Sequence, residues 1–245
     1  MLASASAQDL TLDSVVPGLA AGPACTSRIE LRNLGAKPMA VSVEGHAETG
    51  ALVALEGQDG RVVRLEAGER RSLSFPATDK MQTGWVKVSE PLAGVRASPV
   101  VAVAATVECT ENDLLRTVSR PVAFAMRNPW LDTDLAGLPG AELLIVNAGP
   151  RPALARACYS NGSLYSVPAE HGPGIGLQPV CSAVWETQLA PYASARVALD
   201  RDDARHVSLH TWGEAIVLQL QRPLEGSTRL FTVDSTIHFG QEVHP

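Results

Sequence analysis

The sequence predicts an all-β chain of two tandem β-sandwich domains related by internal duplication. Three observations carry that expectation. The 245 residues include 20 Gly and 17 Pro, a density of turn formers that favours short strands over long helices. With 4 Phe, 4 Trp and 3 Tyr against 45% hydrophobic residues, the core has to be mostly aliphatic. A strand-turn-strand pattern built on Asn-x-Gly-x-basic-Pro occurs once in each half of the chain.

Composition also excludes some classes. A charged fraction of 19% beside that apolar content belongs to a folded protein, because disordered chains carry more charge and fewer apolar residues. The formal net charge is -6, from 20 basic against 26 acidic residues. A non-specific nucleic-acid binder needs basic density to displace counterions from phosphates, so no nucleic-acid partner is expected. No apolar run approaches the roughly 20 residues that span a bilayer, and no transmembrane segment is expected.

The chain opens MLASASAQ, where Ala5-Ser6-Ala7 before Gln8 has the small-x-small form that signal peptidases accept, although no apolar stretch precedes it. Residues 1–7 are therefore read as the end of a signal peptide or a flexible tail, residues 8–127 as the first sandwich and 128–245 as the second. In the first copy Ile29 and Leu31 precede the Asn33 turn, and Met39, Val41 and Val43 follow it. In the second, Leu143 and Ile145 precede Asn147, and Ala153, Ala155 and Ala157 follow. A period of two on either side of a Gly/Pro turn marks paired antiparallel strands. Further along, LEAGERRSLSF from Leu65 matches LAPYASARVAL from Leu189, Val86 and Val88 match Val207 and Leu209, and VVAVAATVEC from Val100 matches EAIVLQLQ from Glu214. Val118, Val122 and Phe124 then match Val233, Ile237 and Phe239. SRPVAFAMRNP, bracketed by Pro121 and Pro129, reads as a strand leading into the junction.

Each unit of about 115 residues thus holds some seven short strands, the count and spacing of an immunoglobulin-like sandwich. The four cysteines fall two to each half, Cys25 with Cys109 and Cys158 with Cys181, and none forms a C-x-x-C pair. That arrangement disfavours metal clips and redox motifs and suits one disulfide per domain in an extracellular or periplasmic protein. Four buried free thiols are the alternative.

NAGPRPALARACYSNGSLYSV, TQLAPYASARVAL and HVSLHTWGEAIVLQL resemble the tandem Ig-like repeats of secreted bacterial proteins of poorly defined function. RNLGAKPMAVSV with RLEAGERRSLSF resembles, more loosely, the Ig-like domains of periplasmic pilus chaperones. The matching motifs are structural turns, so the resemblance implies fold and export rather than an activity.

Chemistry is harder to find. No G-x-S-x-G occurs, and no spacing links Ser, His and Asp into a triad, so an enzyme is not expected. His206 and His210 share one face of an expected strand, with Val207 and Leu209 pointing to the core, and the pair reads as the solvent face of an edge strand. Asp132 and Asp134 give a D-x-D spacing that is a weak calcium candidate, lacking the glycine turn and bidentate Glu of an EF-hand; no other cofactor is expected. Asn161-Gly162-Ser163 fits a glycosylation acceptor but reads first as a hairpin turn. Ser166 to Pro179, an insertion absent from the first copy, reads as a Gly/Pro-rich loop whose base Cys158 and Cys181 would pin. Its His171, Gly172, Pro173 and Gly174, with Trp212 beside Gly213, form the candidate recognition surface. Trp185 is assigned to the core.

These observations favour a non-catalytic exported structural or adhesive protein, a subunit of an extracellular or cell-surface assembly joined to protein partners or to itself by sheet-edge contacts. The terminal segments from Asp9 and Arg229 are either donor strands or, more simply, the closing strands of their own domains. A pilus-type chaperone is one alternative, although no Arg or Lys here matches the basic anchor of that family. A carbohydrate-binding module is the other, with Trp212 and Tyr165 as its candidate aromatics.

Overall fold

A computed structural model describes residues 11–92, 99–135, 138–168, 175–199, 204–225, 227, 229–237 and 241–243. Every regular element among them is a strand. The chain forms two compact units, the first made of residues 1–47 and 52–124, the second of residues 48–51 and 125–245.

The first unit contains β1 (Thr11–Ala21), β2 (Cys25–Asn33), β3 (Met39–Ala47), β4 (Leu52–Val53), β5 (Val62–Leu65), β6 (Arg70–Phe75), β7 (Gln82–Pro91), β8 (Val101–Glu111), β9 (Leu114–Arg120) and β10 (Ala123–Phe124). One sheet runs β10-β1-β7-β3-β4, with β5 also paired to β3, and the other runs β6-β2-β8-β9. The second unit contains β11 (Trp130–Asp134), β12 (Glu142–Asn147), β13 (Ala153–Pro168), β14 (Ile175–Leu189), β15 (Ser194–Ala198), β16 (His206–Trp212), β17 (Ile216–Pro223), β18 (Phe231–Ile237) and β19 (Gln241–Val243). Its sheets run β14-β13-β16-β11-β19 and β15-β12-β17-β18. Strand for strand the two orders coincide, so the duplication seen in sequence is a duplication of topology. The closing strand differs: β10 runs antiparallel to β1, whereas β19 runs parallel to β11.

Both units are immunoglobulin-like sandwiches with one exchange. In the constant-type arrangement the first strand lies beside the second and the last beside the sixth of seven. Here β1 pairs β7 and β8 pairs β2, and β11 and β17 repeat this in the second unit. The alternation read from sequence sets the inner faces. Ile29, Leu31, Val41, Val43, Val86 and Val88 are buried in the first unit, and Leu143, Ile145, Ala153, Ala155, Ala157, Val207 and Leu209 in the second. The terminal segments are closing strands of their own domains, β1 against β7 and β18 against β17.

The repeated Asn-x-Gly motif has one structural cause. Asn33 is fully buried, and its amide nitrogen donates to the carbonyls of Lys37, Leu65 and Glu66 at 2.8, 3.2 and 3.1 Å while its oxygen accepts from Gly35 N–H at 2.8 Å. Asn147 repeats the pattern, donating to Arg151 and Ala190 carbonyls at 2.8 and 2.9 Å and accepting from Gly149 N–H at 3.2 Å. Each asparagine therefore ties the loop after its own strand to the turn that starts β6 or β15. Those turns match as well: Gly68 and Tyr192, the third residues of their turns, have φ of 75° and 60°. A Cβ on Gly35 would sit 3.1 Å from the Asn33 side-chain oxygen, a tight contact that favours glycine in the first copy, whereas at Gly149 the matching distance is an ordinary 3.5 Å.

Both disulfides form between neighbouring strands of one sheet. Cys25 and Cys109 are register partners on β2 and β8, and Cys158 on β13 is bonded to Cys181 on β14. The exchange of strands accounts for the first: with β8 beside β2, the bond joins adjacent strands instead of crossing the core.

Two expectations need correction. Of the insertion read as a loop, the described residues 166–168 and 175–179 are paired strands, with β13 and β14 joined from Leu164 with Pro179 out to Pro168 with Ile175, while residues 169–174 lie outside the described residues. Antiparallel pairing runs through Pro168, Gly176 and Pro179, turn formers that suggested a loop. Asn161-Gly162 is no hairpin turn either, since it lies inside β13 where the register shifts between Ser160 and Leu164.

Three outcomes follow. Asn33→Ala or Asn147→Ala should lower unfolding stability by about 1–3 kcal/mol, because buried carbonyls lose their donor; urea denaturation reads it. Removing Cys25–Cys109, which closes a separation of 84 residues, should cost about 1 kcal/mol more than removing Cys158–Cys181, which closes 23, if chain entropy dominates. The Glu69 carboxylate accepts the Glu66 N–H at 2.7 Å and pairs with Arg71, which holds its pKa below the ordinary glutamate value. Its contribution to stability is present above the unfolded-state pKa and is lost as pH falls through the folded one. An NMR carboxyl titration should find it acidic, and Arg71→Ala should move it back toward the ordinary value.

Candidate functional site

The outer face of the five-stranded sheet in the second unit gathers the chemistry. β16 lies between β11 and β13, so it is a central strand and not the edge strand expected from sequence. The alternation within it is as anticipated, with Val207 and Leu209 buried, His206 half-buried and His210 exposed.

Cross-strand register builds the face in rows. Trp130, His210, Arg156 and Glu186 stand side by side on β11, β16, β13 and β14. Trp212, Leu154 and Gln188 form the next row. Trp212 is the last residue of β16 and 47% exposed. The His210 ring lies 6.2 Å from each indole, with interplanar angles of 16° to Trp130 and 27° to Trp212. The three rings form a near-parallel ladder whose spacing is set by one cross-strand pair and one i, i+2 step along β16. Ser208, buried and two residues along the same face of β16, sits with its hydroxyl 3.1 Å from His210 Nε2 and restrains the ring. Arg156 pairs with Glu186 at 3.8 Å, and His206 Nε2 lies 3.3 Å from Asp132 Oδ1. Sequence reasoning named Trp212 but missed Trp130 and His210 as its neighbours, because only the β11–β16 register brings the three together.

The arrangement does not assemble a hydrolytic relay. Ser208 contacts His210, whereas the carboxylate of Asp132 orients the other histidine, His206. Asp132 and Asp134 lie on β11, where alternate strand positions supply few of the six to eight oxygens that calcium takes. Among the described residues, no group of three or more His, Cys, Asp or Glu is placed to hold a metal. Trp185 packs half-buried against the second core, as assigned. His171, Gly172, Pro173 and Gly174 lie outside the described residues, as do the side chain of Tyr165 and residues 1–7.

The first unit has a cavity of about 360 Å³ lined by Val43, Glu44, Leu52, Leu55, Gln58 and Arg61. Its carboxylate is already matched, since Glu44 lies 3.1 Å from Arg61 and 3.4 Å from Lys87. The outer face of the second unit, with exposed rings, is the better candidate.

No protein-family model matches the chain, and no curated protein matches it. Among solved structures, the major pilin subunit of Bacillus cereus aligns over 91% of this chain at 12% identity and a TM-score of 0.23. The chain spans 59% of that pilin's length, and a score this low assigns no shared fold. Among the described residues, no helix is long and apolar enough to cross a membrane.

Proposed function

We propose that the chain is a non-catalytic exported protein, structural and adhesive in role, that works as a subunit of an extracellular or cell-surface assembly. The observation that carries this reading is the ladder of half-buried Trp130 with exposed His210 and Trp212, on a sheet whose β13 and β14 are joined by a cystine. Adhesive proteins need contact groups held on a rigid support, and strands of a packed sheet hold side chains more firmly than loops do. Two cystines also suit an oxidising compartment outside the cytosol.

Fractionation of the native source with electron microscopy tests this. The chain should be recovered in high-mass particles or on the cell surface, with both cystines oxidised by non-reducing mass mapping. Recovery as a soluble monomer confined to the cytosol would overturn the reading.

A further inference from the structure

We infer that the outer face of the β14-β13-β16-β11-β19 sheet is a binding site for a neutral pyranose-containing glycan. The inference deepens the adhesive half of the proposed function and rests on it.

The first argument is the use of tryptophan. The chain has only 4 Trp; Trp85 is fully buried and Trp185 packs against a core, yet Trp130 and Trp212 stand on one outer face. In a chain whose cores are filled mostly by aliphatic residues with Phe75, Trp85 and Tyr159, a half-buried Trp130 and an exposed Trp212 on an outer face add little to core packing. Tryptophan combines a large apolar surface with an N–H at its rim, which suits a ligand that is apolar on one side and hydrogen-bonding at its edge. A pyranose ring has that form, with axial C–H groups on a face and hydroxyls around the rim.

Charge narrows the class. Arg156 is matched by Glu186, and the acids of β11, Asp132 and Asp134, have beside them only His206, which is charged only when protonated, so the described residues of the face carry no basic excess. A polyanion would find no complementary field there. The same side chains offer planar donors and acceptors to hydroxyl groups: the guanidinium and carboxylate of the Arg156–Glu186 pair are each 53% exposed, and Gln188 is exposed one row away. A protein partner would instead favour a contiguous apolar centre ringed by polar residues; here charged residues stand within the row of rings itself.

Geometry adds a third point. The rings are spaced at 6.2 Å and close to parallel, and they are fixed by the strand register and by Ser208. A surface set before the ligand arrives loses little entropy on binding.

The test uses the purified full chain against an array of neutral hexose and N-acetylhexosamine oligosaccharides, with calorimetry on the best hits. Binding to at least one neutral oligosaccharide is expected, with Trp212→Ala and Trp130→Ala each weakening it by about tenfold or more and Trp212→Phe retaining most of it. In the wild-type protein, the same sugar should shift the indole NMR signals of Trp130 and Trp212 but leave Trp85 unmoved, a readout that survives if a variant fails to fold. Absence of binding across the array, binding that both alanine variants retain, or capture of a peptide in place of sugar would overturn the inference. A chain that binds sugar but is recovered as a cytosolic monomer would remove the assembly reading and leave this site standing; an assembled surface chain blind to sugar would do the reverse.

Discussion

Each sandwich hangs on one buried amide. Asn33 and Asn147 lie at the ends of β2 and β12, where a strand must leave its sheet, cross over and begin its partner in the opposite sheet. Each crossing leaves backbone carbonyls inside the protein without ladder partners, and a buried carbonyl without a donor is expensive. Asparagine answers this because its NH₂ group has two donors and its oxygen can still accept. Aspartate offers the same shape without the donors, and a hydrophobic residue satisfies nothing. Because the carbonyls come from two separate loops, the amide fixes the β2–β3 loop relative to the turn before β6, and thereby the offset between the two sheets. Backbone bonds reinforce the link in both copies, Asn33 N–H to Glu69 and Asn147 N–H to Ala193.

With this joint set, the exchange of outer strands has consequences for where covalent bonds can form. β8 beside β2 places Cys25 opposite Cys109 in one sheet, so the cystine braces a ladder that already exists. The sheets are held to each other by packing of Ile29, Leu31, Val86 and Val88 and their counterparts. The second cystine lies between β13 and β14, next to the place where the register shifts. There the ladder is weakest, and a covalent bond keeps the long ribbon in line with the rest of the sheet.

Much of this was legible in sequence. The Asn-x-Gly turns, the period-two flanks and the cysteine division each rest on local chemistry, and the structure places them where the pattern implied. Ribbon and candidate site were less legible for different reasons. Gly176, Pro168 and Pro179 are turn formers by propensity, but antiparallel pairing along β13 and β14 overrides them. The central position of β16 depends on which strands flank it, and that is a property of topology, invisible in the seven residues of the strand. Trp130 and Trp212 are 82 positions apart; their proximity follows only once β11 is known to pair with β16 at Trp130 and His210.

The same register explains why the contact face belongs to the second unit. The first unit has the equivalent strands β1, β7 and β3, and its outer-facing pair His46 and Trp85 also stacks, with ring centroids 4.5 Å apart. There, however, both rings are buried, at 1% and 0% exposure, and so are committed to structure. Duplication supplied two sheets able to align aromatic rings across neighbouring strands, and the copies use them differently: one pair is fully covered, the other stack leaves His210 and Trp212 exposed. An open stack retains the unsatisfied apolar surface that a ligand can cover. Its strand positions hold it still without consuming that surface, which is the physical requirement for a contact site on a rigid sandwich.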